Sequence, residues 1–114
     1  MIVEIKEEKI LRGLEQVEKC LFYPLKEKFT SLKAEKSSVN ALTVKDGAVE
    51  IGYTDFSGFY TALGVALASE GNFSSEIKRK INDTGIMIDC ARNAVIRAEQ
   101  AKKMIVVCAL LGYN

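Results

Sequence analysis

The period of the apolar positions changes several times along this chain, and each change predicts an element. Val3 and Ile5 alternate with Glu4 and Lys6, which predicts a short first strand. From Glu8 the period lengthens. Ile10, Leu14, Val17, Leu21, Leu25, Phe29 and Leu32 recur at steps of three and four, one face of a helix about seven turns long. Pro24 lies inside that run. It cannot donate to the Cys20 carbonyl, and its ring crowds the preceding turn, yet the apolar face stays in phase on both sides. The expectation is a kink or two abutting helices. Glu7, Glu8, Glu15, Glu18, Lys19, Lys26 and Lys28 fall on the other side and read as a solvated face.

A polar joint at 33–38 separates this helix from two β-rich runs, 39–44 and 48–53, with Asp46-Gly47 between them. Asp-Gly in that place predicts a hairpin, because a type I′ turn needs positive φ at both central residues. Val49, Ile51 and Tyr53 share one face, and Leu42 and Val44 suit the core side of the partner strand. Asp55 is placed to cap a helix whose inner face is Phe56, Phe59, Tyr60, Leu63 and Leu67, and Gly71 stands where a left-handed cap would end it. Aromatics at helical spacing read as core before they read as a sugar-stacking platform. Residues 75–81 alternate Glu76, Lys78 and Lys80 with Ile77, Arg79 and Ile81, the pattern of a charged strand at a sheet edge.

The last third differs in kind. Asn82, Asp83, Thr84 and Gly85 precede the apolar run Ile86, Met87, Ile88, which predicts a strand over 86–90 buried on both faces. A helix over 98–111 follows, with Ala101, Met104, Ile105, Cys108 and Leu111 on its apolar side and Gly112 as its stop. Together they make one β-α unit. Asp89, Cys90 and Arg92 occupy the hand-over from strand to helix, the edge at which parallel α/β folds bind ligands.

Composition narrows the chemistry. The chain has 114 residues, 48% of them hydrophobic, enough for one core but short of the roughly 200 that a complete (β/α)8 barrel needs. Sixteen basic and fifteen acidic side chains leave a net charge of +1, with no polybasic block, so neither nucleic acid nor an anionic membrane is suggested as a partner. There is no histidine, which excludes a His-based triad within the chain. Cys20, Cys90 and Cys108 lack a C-x-x-C spacing and read as buried free thiols rather than as disulfides or a metal site. No cofactor is implied. The start, MIVEIKEEK, has no apolar export segment, and no apolar run approaches membrane-spanning length, so a cytoplasmic location is expected.

Arg92 is the side chain with most to offer. A guanidinium fork just past a strand end can donate several hydrogen bonds in fixed geometry to neighbouring hydroxyls. The structural alternative is an ion pair with Asp89, whose carboxylate on a buried strand would need such a partner. Cys90 could act as a nucleophile only with a lowered pKa, for which Arg92 is the one nearby cause.

The run IDCARNAV, with AKKMIVVCALLGYN after it, resembles the first barrel strand and helix of the glycoside hydrolase family 20 β-N-acetylhexosaminidases, and TDFSGFYTALGVAL resembles the helix that precedes their barrel. The resemblance spans about residues 39–114 and is strongest over 84–114. Ala91 departs from it, where the nearest branch has serine. The resemblance implies that Arg92 hydrogen-bonds hydroxyls of a terminal N-acetylhexosamine and that Asp89 orients the arginine. In the family the substrate's own acetamido oxygen attacks the anomeric carbon, assisted by an Asp-Glu pair on a later barrel strand. No such pair has that context here, and the tryptophans that wall the acetamido pocket are absent because the chain has none.

The expected fold is therefore α+β: an antiparallel sheet of three to four strands covered on one face by helices (1–83), then the first β-α unit of an incomplete barrel (84–114). The expected function is the front end of a cytoplasmic exo-acting glycosidase, inactive by itself and prone to self-association through the unpaired β-α unit. A non-enzymatic α/β interaction module that completes its sheet by dimerisation is the rival from another class, and another barrel hydrolase with the same entrance motif is a third reading.

Overall fold

A computed structural model describes residues 1–78, 84–87 and 97–113. Strand β1 (Ile2–Ile5) leads into helix α1 (Glu8–Leu21), a 3-10 turn (Leu25–Glu27) and strand β2 (Ser31–Lys36). Strands β3 (Ala41–Lys45) and β4 (Ala48–Tyr53) form the hairpin, followed by helix α2 (Phe56–Ala68), strand β5 (Phe73–Glu76) and helix α3 (Ala98–Leu110). The fold is α+β, as expected, but the sheet is mixed rather than antiparallel and has five strands among the described residues, in the order β1-β2-β4-β3-β5. β1, β2 and β4 run parallel, and only the pairings of β3 with β4 and β5 are antiparallel.

The largest departure from the sequence pattern lies around Pro24. No second helix follows α1. The chain leaves it at Phe22, in the left-handed region (φ 52), and Pro24 is extended (φ −67, ψ 126). Proline removes the donor that a continuing helix needs and disfavours helical backbone at the residue before it. Leu25, Phe29 and Leu32 are still buried, but on a turn, a loop and a strand. The segment 33–38 is likewise no joint: its first four residues complete β2. Leu32 and Ala34 point inward there and Glu35 outward, a period of two hidden within the helical spacing.

Registers explain where the core sits. Val3, Leu32, Val49, Val44 and Phe73 stand in one cross-strand row, and Ile5, Ala34, Ile51, Leu42 and Ser75 in the next. These rows meet Ile10 and Leu14 of α1, and Phe59, Ala62, Leu63 and Ala66 of α2, in one buried cluster. The intervening row, Glu4, Lys33, Glu50, Thr43 and Ser74, alternates in charge at its first three positions and faces the other way. Each fully buried Leu, Ile or Phe contributes roughly 1.5–3 kcal/mol of transfer free energy, so the helix-covered face holds the fold and the open face keeps it soluble.

The joints are specific. Asp46 (φ 49) and Gly47 (φ 82) make the expected I′-type turn. The Asp46 amide donates to Asn72 Oδ1 (2.8 Å), and Asn72 Nδ2 donates back to Asp46 Oδ1 (3.2 Å), which ties the turn to the entry of β5. β3 starts at Ala41 rather than at residue 39, because Asn40 is engaged elsewhere: its Oδ1 accepts from the Thr54 amide (2.8 Å), and its carbonyl accepts from the Ile77 amide (2.7 Å). Asp55 caps α2 as expected, accepting from the Gly58 amide at 2.7 Å. The other end differs. Gly71 has positive φ (78) but lies past the helix, which ends at Ala68 with Ser69 extended and its amide bonded to Val65 O (3.0 Å). Lys28, expected on a solvated face, is half-buried and donates through Nζ to the carbonyls of Leu67 and Ser69, the latter at 2.9 Å. β5 is an edge strand over 73–76 rather than 75–81; Ile81 lies outside the described residues.

Candidate functional site

The residues singled out by sequence, Arg92, Asp89 and Cys90, lie outside the described residues. What is described is the frame on either side of them. On the entry side, residues 84–87 are not in a strand, and Ile86 and Met87 are 49% and 98% exposed. The first half of the strand expected over 86–90 is thereby corrected. A strand buried on both faces needs a layer on each side, and this segment has only α3 beside it, across an apolar groove of about 460 Å³ lined by Ile86, Ala101, Met104, Ile105, Cys108 and Tyr113, among others.

On the exit side the expected helix is present. Arg97 is its N-cap, extended and without a side-chain capping bond, and Glu99 places negative charge in the first turn. The far end closes as a Schellman motif: the Gly112 amide (φ 93) bonds to Ala109 O at 3.2 Å and the Tyr113 amide to Cys108 O at 2.9 Å. Helix α3 packs chiefly on α2. At Gly64 the helices approach so closely that a Cβ would lie 1.8 Å from Leu110 O. Its apolar stripe points elsewhere, for none of the residues of α3 is buried.

Other sequence candidates resolve into structural roles. Tyr53 and Phe59 are buried and meet edge to face at 5.8 Å, and Phe59 meets Tyr60 at 5.1 Å. They form core, not a sugar platform. Tyr60 fills the space above Gly13, where a Cβ would lie 1.7 Å from its hydroxyl, and burial raises its pKa above the ordinary tyrosine value. Glu7 accepts from the Lys9 amide as the cap of α1, and Glu8 pairs with Arg12 on the surface. Neither carboxylate is aimed at a common point as a catalytic pair would be. Cys20 and Cys108 are free and half-buried, and among the described residues no three His, Cys, Asp or Glu side chains cluster to hold a metal ion.

An open cleft of about 690 Å³ lies beside the C-terminal ends of β1 and β2, bordered by Glu4, Lys6, Glu7, Lys33, Glu35 and Lys36. Acids and bases balance along it, so it favours neither anion nor cation. No helix among the described residues is long and apolar enough to cross a membrane. No protein-family model matches the chain, and no curated protein matches it.

Proposed function

We propose that this chain is the N-terminal part of an intracellular exo-acting β-N-acetylhexosaminidase of the family 20 type, comprising an α+β domain and the first β-α unit of its barrel. The run from Ile88 to Val95, directly before α3, carries the reading. Its Arg92 stands in a connection that leads into a helix, where a guanidinium can hold sugar hydroxyls bidentately, and Asp89 is three residues before it to orient the fork. The chain supplies neither the general acid nor the acetamide-orienting aspartate, which the reading assigns to a later part of the polypeptide. The terminal N-acetylhexosamine is the only ligand the reading requires.

Kinetics of Arg92→Ala in the full polypeptide test this. Charge-assisted hydrogen bonds contribute ~1.5–3 kcal/mol each. Losing two of them lowers kcat/KM by roughly two to four powers of ten, with KM raised and kcat lowered together. Arg92→Lys recovers little, since a point charge on a flexible stem does not reproduce the planar fork. A folded Arg92→Ala protein with near-normal kcat/KM, and only a lower melting temperature, removes Arg92 from the site and leaves it a structural partner of Asp89.

A further inference from the structure

The stripe on α3 is the largest unexplained feature of the described surface. Met104, Ile105 and Leu111 are 36%, 69% and 69% exposed, and Ile86 and Met87 stand beside them across the groove. Ala101, Met104, Cys108 and Leu111 follow a three-four spacing, with Ile105 next to them, and no charged residue interrupts the series. Lys103 is turned away, its Nζ 5.4 Å from the centre of the Phe22 ring. We infer that two copies of this chain associate through α3, helix against helix in antiparallel sense across a two-fold axis near Ile105 and Cys108.

Three observations favour a second copy as the occupant. The stripe is free of charge, so a two-fold axis brings no like charges together, and the helix is its own complement. The exposed parts of Ile86, Met87, Met104, Ile105 and Leu111 equal about three whole large side chains, roughly 500 Å² per copy and ~1,000 Å² for two, which reaches the lower limit of a specific interface. Ile105 and Leu111 flank the stripe symmetrically about its middle, as isologous contact requires. The sheet edge at β1 is the weaker candidate: it is four residues long and carries Glu4 within the strand, features that discourage edge pairing. The inference concerns the 114-residue chain alone and is independent of the glycosidase reading.

Sedimentation of the chain from micromolar to millimolar concentration tests it, with Ile105→Glu and Ile2→Glu as paired variants. Both positions are largely exposed, at 69% and 66%, so both monomers retain the native circular dichroism and melt. The expected result is a concentration-dependent dimer that Ile105→Glu weakens roughly a hundredfold or more, because each dimer then buries two unpaired carboxylates, while Ile2→Glu leaves it unchanged. A monomer at every concentration, or a dimer lost in Ile2→Glu and kept in Ile105→Glu, overturns it.

Discussion

Lys28 shows how one side chain can join elements that are distant in sequence. It follows the 3-10 turn, yet its ammonium closes the C-terminal end of α2 by donating to the Leu67 and Ser69 carbonyls. A cation there satisfies acceptors that the helix leaves open and opposes the negative end of its dipole. Lys28→Met should therefore lower stability by about 1–2 kcal/mol, counting the bonds and the dipole together at a half-exposed position. Lys26→Met, two residues earlier and exposed, should change it by less than about 0.5 kcal/mol. Urea melts of the two variants make the comparison, and equal losses would contradict the capping role. Nothing in the sequence marks Lys28 apart from Lys26, because the partner carbonyls are some forty positions away and carry no side-chain signature.

At the scale of elements, the close approach of α2 and α3 depends on the absence of one carbon atom. Gly64→Ala places a Cβ where the Leu110 carbonyl now lies, so the helices must separate. The expected cost is about 1–3 kcal/mol, together with faster amide exchange in α3 while the β3–β4 hairpin stays protected. Unchanged protection of α3 would show that the contact does not hold it in place. What could be read from the sequence follows the range of the interactions. The Asp46-Gly47 turn, the Asp55 cap and the Gly112 stop are local devices, and each is where its residue types place it. β2 was hidden because Lys, Ala and Glu favour helix. Its strand form comes from the parallel pairing with β4, a contact that no local window contains. The mixed sheet was hidden for the same reason: the hairpin announces antiparallel pairing, whereas β1-β2 and β2-β4 are joined only through crossovers. The strand expected over 86–90 failed at its first residues because apolar content alone does not distinguish a buried strand from an exposed face awaiting a partner.

The whole molecule is one helix-covered sheet carrying a further helix whose apolar side is open. That arrangement suits a unit that either packs against more of its own polypeptide or pairs with a copy of itself, and the glycosidase reading assigns the first role to the full protein. Its chemistry is then divided between parts, with the sugar-holding arginine at the strand-to-helix connection of this chain and the Asp-Glu pair elsewhere. The most direct measurement is release of nitrophenol from a nitrophenyl N-acetyl-β-glucosaminide, assayed side by side for the full polypeptide and for residues 1–114 alone. The account predicts turnover by the full polypeptide and none by the 114-residue chain, which lacks the general acid. A full polypeptide without activity on either the glucosaminide or the galactosaminide, or measurable turnover by residues 1–114 alone, would contradict it.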